Sequence, residues 1–111
     1  MQVRIETSQI DLPHEKRHSI ERASARVLAR FSRHIRKLHL SVKDVNGRKG
    51  GRDKVCTLRL TLEKGGEVLV IDRSRSLARA ILRGLRRSRA LLKKHIARQR
   101  RYNRGDLVYA A

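Results

Sequence analysis

Apolar residues alternate with polar ones in three short stretches of the chain, and a fourth stretch is a short apolar run; both patterns are typical of β-strands. They predict strands at about 2–6, 37–43, 55–62 and 67–72. The last two stretches flank Gly65-Gly66. Because glycine supplies the positive φ of a tight turn, these two strands should form a hairpin. The fourth stretch is apolar on both faces, which suggests that a helix covers one face and a partner the other.

Two longer stretches repeat their apolar residues every three or four positions, as amphipathic helices do. We predict a first helix at about 13–33, where Pro13 is tolerated in the first turn, and a second helix at about 75–101. Gly84 lies on the apolar arc of the second helix. Glycine in mid-helix costs about 1 kcal/mol relative to alanine, so we expect close packing against the sheet at this position.

The resulting order of elements is β-α-β-β-β-α, without repeats. It predicts the α+β class, with a four-stranded sheet and both helices on one face, similar to double-stranded RNA-binding domains. A chain of 111 residues has room for one modest core. We expect residues 1–102 to form a single domain and residues 103–111 to form a flexible tail.

The charge of the chain is strongly unbalanced. Its 29 Lys and Arg residues outnumber 10 Asp and Glu residues, which gives a net charge of +19 at pH 7. Thirteen of the basic residues lie between Arg73 and Arg104, a stretch that contains no acid. A solvated helix face normally interleaves acids with bases, so this run predicts a polyanionic partner, with nucleic acid first. Only 3% of the residues are aromatic, which favours phosphate contacts over base stacking.

The basic residues of the two predicted helices are the candidate RNA-binding residues. They lie away from the apolar arc of each helix, so they can approach phosphates while the helix stays packed on the core. Arginine predominates, and its guanidinium group forms bidentate hydrogen bonds with phosphate. The candidates on the second helix are Arg79, Arg83, Arg86, Arg87, Lys93, Lys94 and Arg98, and those on the first helix are Arg26, Arg30 and Arg33.

One stretch of the sequence is more specific than the pattern around it. Residues 31–60 are FSRHIRKLHLSVKDVNGRKGGRDKVCTLRL, and the order DVNG…KGG…DK-C runs from Asp44 to Cys56. Together with Gly65-Gly66 and the SLARAI opening of the last helix, this stretch resembles the ribosome hibernation-promoting factor family, also called ribosome-associated inhibitors. The resemblance covers roughly residues 1–98.

The resemblance implies a protein that binds the small ribosomal subunit in the channel of tRNA and mRNA, contacts 16S rRNA and holds the ribosome inactive. Family members usually carry acids where this chain has Leu82 and Arg86, so this chain is the more basic. The dimerisation domain of the long family members has no counterpart here, and we expect a monomer. The residues that best match the family's basic positions in the last helix are Arg87, Lys94, His95 and Arg98.

The main alternative is a general RNA- or DNA-binding protein, such as an RNA chaperone or a nucleoid protein. The missing acids of the last helix favour it, because an all-cationic surface binds polyanions with little selectivity. The glycine-rich segment from Asn46 to Asp53 is either a plain connector between strands or a further RNA contact through Arg48, Lys49 and Arg52.

The sequence does not favour catalysis. His14 and His18 match the zinc-protease pattern H-E-x-x-H, but they stand in an exposed first turn without an evident third ligand, so we attribute the match to chance. Cys56 lies on the apolar side of its strand, where a buried thiol is inert. We expect no enzyme activity, no metal, no cofactor and no small-molecule substrate. With one cysteine and no apolar run near the roughly 20 residues of a membrane span, we expect a cytoplasmic protein that does not bind membranes.

Overall fold

The structure, a computed structural model, describes residues 1–45 and 54–103. Strands and helices follow in the predicted order, with a short 3-10 segment after the first helix. The elements are β1 (Gln2–Ser8), α1 (His14–Leu28), the 3-10 segment (Ala29–His34), β2 (Ile35–Asp44), β3 (Lys54–Leu62), β4 (Glu67–Ser74) and α2 (Leu77–Asn103).

The four strands form one mixed sheet in the order β1-β2-β3-β4. β1 runs parallel to β2, as a strand that follows a helical crossover can, whereas β2, β3 and β4 are antiparallel neighbours. The predicted α+β class and the β-α-β-β-β-α order are therefore confirmed.

The hydrophobic core lies between one face of the sheet and the two helices. Alternate residues of β2 and β3, such as Leu40 and Leu58, are fully buried on this face. Leu28 of α1 and Leu85 of α2 are fully buried in the same cluster. Both helices thus pack on one face, and the opposite face of the sheet is left without a helix.

The first helix ends earlier than its apolar period suggests. Regular α-helix stops at Leu28, and the chain continues to His34 as a 3-10 segment before β2 begins. Such tighter turns are common at helix ends. Because no glycine or proline marks this point in the sequence, the change of direction that brings the chain into β2 is a feature of the tertiary structure.

The glycines predicted to have structural roles have them. Gly65 and Gly66 both adopt positive φ in the hairpin between β3 and β4, where the Leu62 N–H donates to the Gly66 carbonyl oxygen at 3.1 Å. Gly84 lies so close to the sheet that an added Cβ would stand 2.5 Å from Cδ1 of Leu58. The predicted close approach of α2 to the sheet is confirmed.

α2 begins where a serine side chain caps it. The Ser76 hydroxyl accepts a hydrogen bond from the Arg79 backbone N–H at 3.3 Å, which satisfies one of the free donors of the first turn. The helix then extends to Asn103, the first residue of the predicted tail.

Two sequence-based interpretations lie outside the described residues. They are the RNA contact through Arg48, Lys49 and Arg52, and the flexibility of the tail beyond Asn103. Within the residues that are described, no helix is long and apolar enough to cross a membrane.

Candidate nucleic-acid interface

A groove runs between the two helices, on the side of the helix layer that faces away from the sheet. One section of it has a volume of about 530 Å³. Arg26 of α1 and Arg30 of the 3-10 segment stand on one side, and Arg89 and Lys93 of α2 stand on the other. All four side chains belong to exposed residues. The groove therefore has cations on both rims.

The other residues that line this section are apolar, and Phe31 has the largest side chain among them. A neighbouring section of about 430 Å³ shares Arg30, Phe31 and Lys93, so the two sections are continuous. The second section adds Arg33 and His34 from the 3-10 segment. The cationic rims thus continue past Phe31 toward the end of β4 that carries the hairpin.

At the other end, the groove becomes apolar. A section of about 260 Å³ extends from Arg26 and is lined mainly by small and aliphatic side chains of both helices, among them Ile20, Ala23 and Leu82. The seam between α1 and α2 therefore has one apolar end and one cationic end.

No acidic side chain of the described residues lines the cationic end, although Glu63 lies beside it, since its backbone N–H donates to the His34 carbonyl oxygen at 2.9 Å. The ion pairs of Glu63 and Glu67 lie beside the β3–β4 hairpin, and Glu6 lies on the uncovered face of the sheet. Since the rim cations have no acid between them, their fields add, and the groove favours an anionic ligand.

The structure divides the ten predicted binding residues into four groups. Arg26, Arg30, Arg33 and Lys93 line the groove. Arg79 and Arg86 are exposed on the outer surface of α2. Arg83 and Arg87 reach β4, and Lys94 and Arg98 are exposed near the end of α2.

Two of the cations near β4 have a partner inside the protein. Asp72 is a buried residue of β4, and its carboxylate lies 3.8 Å from Arg83 Nε and 3.3 Å from Arg87 Nη1. Arg87 also donates a hydrogen bond to the Ile71 carbonyl oxygen at 2.9 Å. Part of the positive charge of Arg83 and Arg87 thus compensates a buried acid, and part of the cationic surface of α2 stabilises the fold.

His95, which matches the family's basic positions, also has structural surroundings. It is half-buried on α2 and lies against the hairpin, where a Cβ added to Gly66 would be 3.8 Å from its Cε1. Lys94 and Arg98 beside it are exposed. At this end of α2 the lysine and the arginine, rather than the histidine, are presented to solvent.

Sequence reasoning omitted two residues of the groove from the candidate site, Arg89 and Phe31. Arg89 was recoverable, because it precedes Lys93 by four residues and so shares its side of the helix. Phe31 falls at helical spacing on the apolar arc of the predicted first helix, with Ile20 and Val27. Nothing in the spacing shows that the same side chain is also reached from the groove.

The residues weighed for chemistry lie in different surroundings. His14 and His18 are exposed, with their rings edge to face at a centroid distance of 4.6 Å. Within the described ranges, no cluster of three or more His, Cys, Asp or Glu side chains could hold a metal. Burial, and secondarily the charge of Asp72, raises the pKa of Cys56 to about 12, so its thiol is protonated at neutral pH.

The face of the sheet without a helix has its own character. Leu69 and Ile71 of β4 are each about half exposed there, whereas Val68 and Val70 are buried on the other side. The prediction that a helix covers one apolar face of this strand is confirmed. The prediction that a partner covers the other stays a prediction.

Comparison of the sequence with protein-family models and with curated proteins finds no match. Solved structures, in contrast, match most of the chain. A ribosomal subunit interface protein from Coxiella burnetii has a TM-score of 0.73 at 16% identity, over 87% of this chain and 99% of that chain. The N-terminal domain of Protein Y from Thermus thermophilus has a TM-score of 0.70 at 20% identity, over 86% and 99% of the two chains.

At these identities the likeness concerns the fold. It extends over more than four fifths of this chain and nearly all of each of the other two. The chain therefore has the α+β fold of the ribosomal subunit interface protein and of the Protein Y domain, and the resemblance noted in the sequence is confirmed at the level of the fold.

Proposed function

We propose that this protein binds the small ribosomal subunit and inhibits translation by occupying the channel of tRNA and mRNA. It does so as a monomer in the cytoplasm and without catalysis. The observation that carries the proposal is a cationic groove that no acid of the described residues lines, on a fold shared with a protein described as a ribosomal subunit interface protein.

The charge arrangement supports rRNA phosphates as the contacted groups. Five cations line the groove from two directions, and they are Arg26, Arg30, Arg33, Arg89 and Lys93. Each phosphate that they neutralise releases condensed counterions, so the affinity for RNA falls steeply with added salt. Arg79 and Arg86 on the outer surface of α2 extend the contact beyond the groove.

Inhibition then follows from occupancy. The domain is 54 Å long and 25 Å wide across its described residues, and its core makes it a rigid body. A body of this size on the rRNA of the channel excludes tRNA and mRNA sterically, and no chemical step is needed.

Sedimentation with purified ribosomes tests the proposal. The protein should co-migrate with small subunits and with inactive ribosomes on sucrose gradients, and excess tRNA should displace it. The double variant Arg30→Gln/Lys93→Gln removes two groove cations, and it should lower the affinity at least tenfold.

The matched control is Arg4→Gln/Arg59→Gln, which removes the same charge from the uncovered face of the sheet, where both residues are exposed. We expect it to bind ribosomes within about threefold of the wild type. Equal losses in the two variants would show that net charge, rather than the groove, determines binding, and the proposal would be wrong in its site.

The second candidate function is general RNA or DNA binding. The observation that favours it is the acid-free sequence of α2 from Leu77 to Asn103, because indiscriminate cations attract any polyanion. If the protein binds free duplex DNA and unrelated RNA as tightly as it binds small subunits at the same salt concentration, this candidate replaces the first.

A further inference from the structure

We propose that the groove between α1 and α2 accepts an unpaired nucleotide of a single-stranded RNA segment, with the base against Phe31 and the adjacent phosphates on the cationic rims. The inference rests on the proposed function in that it takes RNA as the partner. It goes further by naming a strand with an unstacked base, rather than a duplex, as the ligand of this site.

Phe31 is placed where a base can reach it. It is the only phenylalanine of the chain, and it lines both cationic sections of the groove. It is half-buried, and it packs against the core as well as facing the groove. Because the core fixes its position, the ring loses little freedom when a ligand contacts it, and aromatic side chains are the usual platform for an unstacked base.

The cations on either side of Phe31 match the charges of a nucleotide within a strand. Arg30 precedes Phe31 in the 3-10 segment and Lys93 belongs to α2, and all three side chains line both sections, so the aromatic ring shares the groove with positive charges from two different elements. A base in a strand has a phosphate on its 5′ side and another on its 3′ side. An aromatic side chain together with cations from two elements is complementary to that arrangement.

The size and the shape of the groove favour a single strand over a duplex. Sections of about 530 Å³ and 430 Å³ are in the range of sites that enclose small organic groups, roughly 300–1,000 Å³. A duplex presents phosphates and groove edges but keeps the faces of its bases stacked inside. It could contact the rims, but it could not place a base against Phe31.

The length of the cationic rims favours an RNA strand over a free nucleotide as the ligand. Arg26 and Arg33 lie at opposite ends of the two sections, so the rims offer more positive charge than one phosphate group needs. Several consecutive phosphates use the whole length. A mononucleotide uses only the centre and should bind much more weakly.

Tryptophan fluorescence gives a direct test, because the chain contains no tryptophan. The variant Phe31→Trp places a single reporter in the groove. A 12-nucleotide single-stranded RNA of mixed sequence should quench its emission at least twofold through stacking, whereas the same sequence as a blunt duplex should leave the emission within about 10% when fully bound. Binding of the single strand without any change in emission would overturn the proposal.

The variant Phe31→Leu keeps an apolar side chain on the core and removes the aromatic face. In fluorescence anisotropy with labelled RNA, it should weaken binding of the single strand about tenfold and leave duplex binding within about twofold. Equal weakening of both ligands, or of neither, would contradict the inference. Circular dichroism melting of Phe31→Leu establishes that the variant is folded, and Phe31→Trp provides the second measurement if it is not.

Adenosine monophosphate serves as the free-nucleotide arm of the test. We expect it to quench Phe31→Trp only at concentrations at least a hundredfold above those of the oligonucleotide, and similar affinities would show that the site takes a free nucleotide instead. Ribosome co-sedimentation separates this inference from the proposed function. If wild-type protein does not sediment with small subunits, the proposed function fails. If it sediments but Phe31→Leu binds single-stranded RNA as the wild type does, only the inference fails.

Discussion

At the scale of single residues, Gly84 is a position where helix propensity and core packing favour different residues. Alanine would favour the helix by about 1 kcal/mol, yet its Cβ would stand 2.5 Å from Cδ1 of the fully buried Leu58. Overpacking of a core commonly costs about 1–3 kcal/mol. The packing requirement is the larger, which is why glycine occupies a helix interior.

We therefore expect Gly84→Ala to lower the free energy of unfolding by about 1 kcal/mol, measured by urea denaturation monitored by circular dichroism. Ala90→Gly, at an exposed position of the same helix, is the control for propensity alone and should also cost about 1 kcal/mol. A Gly84→Ala variant that is more stable than the wild type would mean that Leu58 moves aside freely.

Arg87 differs from its neighbour Arg86 although both are exposed cations of α2. Arg87 compensates the buried Asp72 and caps the Ile71 carbonyl oxygen, whereas the structure gives Arg86 no such partner among the described residues. Arg87→Ala should therefore lower the free energy of unfolding by about 1 kcal/mol, a value reduced by the solvent exposure of the guanidinium group.

The matched variant Arg86→Ala should change the free energy of unfolding by less than about 0.5 kcal/mol, because it removes no hydrogen bond or ion pair among the described residues. Thermal and urea denaturation of the two variants side by side make the comparison. Equal effects would show that Asp72 does not depend on Arg87.

Cys56 should be nearly unreactive in the folded protein. Its raised pKa of about 12 leaves a thiolate fraction at pH 8 that is about a thousandfold smaller than that of an ordinary cysteine. Alkylation by iodoacetamide, followed by mass spectrometry, should be at least that much slower in buffer than in denaturant. Comparable rates would indicate that β3 opens readily to solvent.

At the scale of elements, the cations of α2 that are proposed to bind RNA also lower the stability of the helix. Its exposed surface repeats cations at positions three and four residues apart, and like charges at these spacings destabilise a helix. The burial of Leu85, Leu92 and Ile96 holds the helix on the sheet despite this repulsion. The apolar arc therefore holds α2 against the sheet, and the exposed side chains of the helix can remain cationic.

Replacing one of these cations by an acid should relieve the repulsion and raise the stability of the protein. Arg86→Glu places a carboxylate three residues from Arg83 and three from Arg89, and we expect it to raise Tm by roughly 2–5 °C at low salt. The same change should weaken RNA binding, because a phosphate contact is lost. Both effects should shrink in 1 M NaCl, and a Tm gain that persists there would not be electrostatic.

The candidate site on this element was only partly accessible to prediction. The helical phase of α2 separates its apolar arc from its cations, and that much follows from the spacing alone. It does not show that Lys93 meets Arg30 across a groove while Arg87 meets Asp72, because both partners belong to other elements.

At the scale of the whole molecule, a net charge of +19 on 111 residues means that the cations of the free protein repel one another. The native state concentrates this charge more than the unfolded chain does, so repulsion lowers the stability of the native state. Salt screens that repulsion, with a Debye length of about 10 Å at 0.1 M.

Stability and RNA affinity should therefore respond to salt in opposite directions. From 20 mM to 300 mM NaCl, we expect Tm of the free protein to rise by several degrees, followed by circular dichroism. Over the same range, the logarithm of the affinity for small subunits should fall linearly with the logarithm of the salt concentration, by roughly 0.7–0.9 per phosphate contacted. An affinity that is independent of salt would exclude phosphate contacts as the main source of binding.

The sequence by itself determined the class of this protein. The alternation of Leu58 and Leu60, the hairpin glycines Gly65 and Gly66, and the acid-free run of α2 are local patterns, and local physics is sufficient to interpret them. Strand period, turn conformation and charge are each set by residues that are close along the chain.

Only the tertiary structure decided which cations line the groove and which form ion pairs within the fold. Arg26 and Lys93 form one groove although 67 positions separate them, and Arg87 pairs with Asp72 from another element. These pairings depend on how the helices and strands pack, since side-chain spacing within one helix gives its angles but not its neighbours. The same packing makes Phe31, a residue of the apolar arc, line the cationic groove.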